Sequence, residues 1–295
     1  MEQLSRMLRL LIFGSGVFAL AAHGHTLFLK SSSFFVPLNQ DVVLPIINGT
    51  FVKNENKVIA SRLTDTKIVG PDGDRVAISN GDWMLDDSGQ TSLVTRFAEP
   101  GTYLVGAGTR PMMARMSAED FTFYLRYEGL IDDLRDREQR NEHGVAAAER
   151  YSKFAKAIIQ AGEPRTDNFN AVVGHPIEIV PLENPYKIEI GQSLRVRVLR
   201  DGLPVANELV YASHEGHYEA DSEGIVDEAV SVRTDDAGLA VIPIGSDGLW
   251  YVRVIDLVRI GASEHWYSGI LVTMGVEEPR VLYESRWATL TFEIQ

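Results

Sequence analysis

Short apolar stretches separated by turn residues recur at nearly even spacing along most of this chain, and a chain punctuated in this way is held to a sheet-built fold. In its first part, TLFLK at 26–30, DVVLPII at 41–47, KIV at 67–69 and DRVAI at 74–78 read as strands, followed by 91–97 and 102–106. PDG at 71–73, SNG at 79–81 and EPG at 99–101 are the turns, each holding a residue that tolerates positive φ. In its last part, 177–181, 193–199, 208–212, 229–233, 239–244, 249–257 and 287–294 read as strands, with turns at 201–202 and 236–238. Strands this short and regular predict a β-sandwich on either side of the middle. EPGTYLV at 99–105 and SDGLWYV at 246–252 echo each other, each placing a turn glycine before an aromatic-rich strand.

The period changes in between. Ser117 followed by Glu119 and Asp120 is a helix start, with a hydroxyl cap and acids in the first turn. Phe121, Leu125, Ile131 and Leu134 form an apolar stripe interrupted by Gly129. A second helix is predicted over 145–161, where Tyr151, Ala155, Ile158 and Ile159 share a helical face and Gly162 and Pro164 supply the stop. The resulting division is a leader at 1–22, a sandwich at 23–112, a helical insert at 113–165 and a second sandwich at 166–295. The fold class is mainly β, with two sandwiches of immunoglobulin-like or transthyretin-like type.

The leader has the order of a cleavable signal peptide: Arg6 and Arg9, an apolar run at 10–22, then small residues ending in Ala21 and Ala22. The run is shorter than the roughly 20 residues that span a bilayer, so no membrane span is expected after cleavage behind Ala21 or Ala22. Loss of 1–22 removes Arg6, Arg9 and Glu2 and deepens the net charge from −13 to −14. That balance excludes nucleic acid as a partner, since its phosphates call for Lys and Arg. Absence of cysteine excludes disulfides and thiolate metal sites.

Cleavage leaves His23 and His25 beside a free amine, nitrogen donors suited to nickel, copper or zinc. Two residues apart on a strand, the two imidazoles share one face. A second donor group is His214, Glu215 and His217, opening an acidic loop. It is not the H-E-x-x-H pattern of zinc proteases, because the second His comes one residue early. The competing reading is a strand start for the first group and a solvated acidic loop for the second. His143, His175 and His265 read as helix-end, boundary and loop residues, and Met112, Met113 and Met116 as packing rather than soft copper ligands. No G-x-S-x-G elbow or complete dinucleotide loop is present, so no enzyme is expected.

A series of segments carries a family resemblance: FAEPGTY at 97–103, AEDF at 118–121, YLRYEGL at 124–130, ERYSKFAK at 149–156 and IEIVPLENP at 177–185. DGLP at 201–204, TDDAG at 234–238, GLWY at 248–251 and WATLTF at 287–292 complete it. Together they resemble the NikM-like family of bacterial periplasmic domains, some of which accompany nickel or cobalt uptake systems. The resemblance implies export, sandwich architecture and a transition-metal role. Where many members carry a His, this chain has Asp256, and an insertion at 264–279 precedes its last strand. The expectation is a periplasmic accessory protein that binds or delivers nickel or cobalt (copper or zinc as alternatives) to a metal-uptake permease or outer-membrane receptor. The alternative is a non-metal sandwich module for a protein or glycan partner.

Overall fold

The computed structural model describes residues 25–217, 219–220, 226–262 and 281–295. In chain order the strands before the helices are β1 Thr26–Leu29, β2 Phe35–Val36, β3 Val42–Thr50, β4 Lys53–Asn54, β5 Leu63–Val69, β6 Arg75–Ala77, β7 Trp83–Leu85, β8 Thr91–Thr95, β9 Gly101–Thr109 and β10 Met112–Met116. Helices α1 Ala118–Tyr127 and α2 Ile131–Gln139 follow. Then come β11 Ala147–Ala161, β12 Ile177–Pro181, β13 Ser193–Arg200, β14 Leu203–Pro204, β15 Leu209–His214, β16 Glu219–Ala220 and β17 Val226–Asp227. The last are β18 Val230–Arg233, β19 Leu239–Pro243, β20 Gly248–Ala262 and β21 Val281–Ile294. The protein is mainly β, as the spacing of apolar stretches predicts.

A ten-stranded sheet runs β18-β15-β20-β21-β11-β9-β5-β6, with β2 and β10 also paired to β11. A five-stranded sheet, β1-β3-β8-β7 with β4, and a four-stranded sheet, β12-β13-β14 with β19, pack against it. Side-chain alternation along the long strands assigns the faces. Odd positions face the five-stranded sheet: Lys153 of β11 reaches Asn48, and Thr289 and Thr291 of β21 donate to the carbonyls of Leu27 and Leu29 at 2.7 and 2.6 Å. Even positions face the four-stranded sheet, where Lys156 meets Glu178 and Phe154 meets His175. The fold is a sandwich of three layers with the large sheet in the middle. Helix α1 lies on the odd face, packing Phe121, Tyr124 and Leu125 with Ile255, Tyr283 and Trp287.

The predicted helix over 145–161 is instead β11. It pairs in parallel with β21 and antiparallel with β9 and β10. A central strand covered on both faces loses the alternation of a half-buried strand, and its apolar run then reads equally well as a helix. The predicted first helix is present. Ser117 caps it by accepting from the Asp120 amide at 3.0 Å, and it breaks from α2 at Gly129. Gly129 has φ 74°, and a Cβ there would run into the Tyr211 hydroxyl, so glycine is required on two counts.

The echo between 99–105 and 246–252 is structural. Tyr103 donates from its hydroxyl to the Glu99 carbonyl at 2.7 Å, and Trp250 donates from its indole to the Ser246 carbonyl at 3.0 Å. Each aromatic ring thus locks the corner four residues upstream of it. Met116 is buried in the core beneath α1, while Met112 and Met113 are exposed on β10. Among the described residues no helix is long and apolar enough to cross a membrane.

Candidate functional site

A cleft of about 70 Å³ opens where six parts of the chain meet. The β3–β4 turn supplies Gly49–Val52, the end of α1 supplies Tyr127 and Glu128, and β20 supplies Tyr251 and Arg253. The end of β15 supplies His214 and the turn after it His217, and Glu228 and Phe28 complete the lining. Phe28, Phe51 and Tyr251 form one aromatic wall, with ring centroids 4.7 to 5.1 Å apart in edge or tilted contact.

His214 and His217 come together because the His217 amide donates to the His214 carbonyl at 3.0 Å, closing a turn. Their rings lie 5.8 Å apart, and His214 also packs 4.9 Å from Trp250. Burial, then repulsion from His217, lowers the His214 pKa, so its imidazole is neutral at pH 7 and free to offer a lone pair. The His217 Nε2 atom is buried without a hydrogen-bond partner among the described residues. Glu215 turns elsewhere, accepting from Lys30 Nζ at 2.9 Å. His25 does not line the cleft, and its Nε2 lies 3.2 Å from Glu55 Oε2. Yet β1 enters beside it: Thr26 pairs with Gly49, a lining residue. His23, the leader and His265 with its neighbours lie outside the described residues. Among the described residues no group of three or more His, Asp or Glu is placed to hold a metal ion.

A buried charge network also lines this cleft. Arg253 donates from Nη1 to Glu128 Oε2 at 3.0 Å and from Nε to Glu228 Oε1 at 2.7 Å, with its guanidinium 4.7 Å from the Tyr211 ring. The Tyr251 hydroxyl donates to the other Glu228 oxygen. Burial pushes the Glu128 carboxyl up to about 7 against the opposing pull of Arg253 and Lys153, and its Oε1 has no hydrogen-bond partner among the described residues. Lys153 is pushed down to about 8 by burial, which outweighs attraction to Glu128. Its Nζ donates to Asn48 Oδ1 at 3.0 Å and to the carbonyl of His25, tying the start of β1 to the central sheet. Glu149 accepts from Tyr124 at 3.0 Å and from Ser285, and burial raises its carboxyl too.

These network residues were not singled out as site candidates, although YLRYEGL and ERYSKFAK, segments of the resemblance, contain Glu128, Glu149 and Lys153. The available signal was charge inside otherwise apolar strands, which needs partners when buried. On the even face, Lys156 and Glu178 form a second buried pair at 2.7 Å, both side chains 2% exposed. Burial opposes ionisation of Glu178, but Lys156 and the Val173 and Gly174 amides hold its carboxyl below the ordinary value. His175 is buried beside it, and burial lowers its pKa. Asp256 is buried and bridged by Arg200.

A β-sandwich carrying a small polar cleft over a buried ion network is the class that the geometry defines. Residues 22–256 match the family described as a domain of unknown function, DUF4198, and the chain belongs to that family. The comparison with curated proteins gave no match. Among solved structures, the chain is similar to the D0-D1 domain of intimin, at 11% identity over 90% of this chain and 96% of that one, with a TM-score of 0.20. It is also similar to an alpha-2-macroglobulin of Salmonella, at 9% identity over 90% of this chain and 15% of that one (TM-score 0.25). A third is the Yersinia pseudotuberculosis adhesin InvE, at 14% identity over 92% of this chain and 61% of that one (TM-score 0.18). Likeness at this level carries no argument about function.

Proposed function

We propose that this protein is an exported periplasmic accessory protein that binds a transition metal, nickel or cobalt first, and hands it to an uptake system. The observation that carries the reading is the pairing of His214 with His217 on the cleft, one ring neutral at pH 7 and the other with an unpartnered nitrogen. Imidazole nitrogen suits nickel and cobalt, and a carrier that must release its cargo does not need a closed coordination shell. The described donors supply only part of a shell; His25, which immediately precedes β1 in the chain, and His23, two residues before it in the sequence, are the candidates for the rest. The acidic surface and the resemblance to NikM-like domains agree with a cation-handling role.

The test is calorimetric titration of nickel and cobalt into processed protein at fixed pH. His214→Ala with His217→Ala, and separately His23→Ala with His25→Ala, should each weaken binding at least tenfold, whereas His143→Ala should not. Unchanged affinity in both double variants overturns the reading. The absence of a three-donor group among the described residues favours a second reading, a non-metal module for a protein or glycan partner. Wild-type protein that binds neither metal supports that alternative.

A further inference from the structure

Two polar atoms on the lining residues of one small cleft lack hydrogen-bond partners among the described residues: Glu128 Oε1 and His217 Nε2. Glu128 is 2% exposed, so its orphaned oxygen is not satisfied by bulk water. The charges around it do not cancel. Among the described residues of the network, Glu128, Glu149 and Glu228 are met by Arg253 and Lys153. Nearby Lys30 is matched by Glu215. The remaining wall is aromatic, from Phe28, Phe51 and Tyr251, and Lys30 Nζ already stands 4.4 Å from the Phe51 centroid.

We propose that this cleft binds an ammonium group, in the form of a small primary amine cation that donates to Glu128 and His217 and rests against the aromatic wall. Its N–H groups can donate to Glu128 Oε1 and, in the His217 tautomer protonated at Nδ1, to His217 Nε2, and at pH 8 its charge offsets the excess carboxylate. The ring faces attract a cation by their quadrupoles. A volume of about 70 Å³ admits such a group with a short alkyl stem. A bare divalent metal fits less well at this depth, because no three-donor group surrounds it among the described residues. The raised Glu128 carboxyl agrees with a site whose negative charge lacks full compensation. This inference does not rest on metal binding at the histidines.

The probe is methylammonium chloride, titrated calorimetrically into the purified protein at pH 8 against sodium chloride of equal ionic strength. Saturable binding is expected, at least tenfold tighter than that of tetramethylammonium, which has no N–H to donate. The tripeptide Gly-Lys-Gly distinguishes a lysine side chain of a partner from a free amine as the natural source. Glu128→Gln should weaken methylammonium binding at least tenfold while leaving nickel affinity within twofold, which separates this proposal from the metal reading. Should that variant fold poorly, wild type alone suffices: methylammonium should raise its Tm where sodium does not. A folded wild type that saturates with neither methylammonium nor the lysine peptide overturns the proposal, as does unchanged affinity in a folded Glu128→Gln protein.

Discussion

Lys153 and Lys156, three residues apart on β11, are buried on opposite faces of the central sheet, each held by different partners. Lys153 reaches Asn48 and the His25 carbonyl under the five-stranded sheet, while Lys156 is paired with Glu178 under the four-stranded sheet. Truncating one member of a buried pair leaves the other charge uncompensated, at about 3–5 kcal/mol. Lys156→Met is accordingly expected to lower unfolding free energy by about that amount in urea titrations, with much of it recovered by adding Glu178→Gln. A loss below about 1 kcal/mol would show that the pair is not buried as described.

Glu128 makes stability depend on pH. Its carboxyl stands at about 7 in the fold against an ordinary 4.5, so the folded state favours the protonated form. The contribution is therefore complete below pH 4.5 and is lost as pH rises through 4.5 to 7. Asp133 and Glu208, raised to about 6 and about 7 by burial, act in the same direction. Denaturation at several pH values should show Glu128→Gln more stable than wild type at pH 8, by up to about 3 kcal/mol, and level with it near pH 4.5. A variant less stable than wild type at pH 8 would contradict this sign.

Gly129 is expected to resist substitution. Gly129→Ala combines a positive φ with a collision against Tyr211 and should cost at least about 2 kcal/mol, read by thermal or urea unfolding. Adding Tyr211→Leu should recover part of it, because only the collision is relieved. No loss in the single variant would contradict the geometry at the α1–α2 break.

The Ser117 cap is a smaller effect. Ser117→Ala removes the acceptor for the Asp120 amide and is expected to cost about 1 kcal/mol. Ser117→Asp should restore most of it.

Half-buried strands were legible because their side chains alternate between core and water, as in β13, whose Leu194, Val196 and Val198 point inward. The segment that became β11 was not, since burial on both faces erased the alternation that separates strand from helix. A helical reading also hides the charges, because a helix would place Lys153 and Lys156 on one side. Of the cleft, the pairing of His214 and His217 was legible from their closeness in sequence. The contact of Arg253 with Glu128 spans 125 positions, and nothing local in either segment encodes it. Glu128 reaches the cleft because the end of α1 is fixed to β20 by that contact.

X-ray absorption at the nickel edge, on processed protein loaded with one equivalent of nickel, tests the central claim most directly. Outer-shell scattering from at least two imidazoles is expected, reduced when His214 and His217 are both replaced by Ala. A shell of oxygen donors alone, unchanged in that double variant, would contradict it.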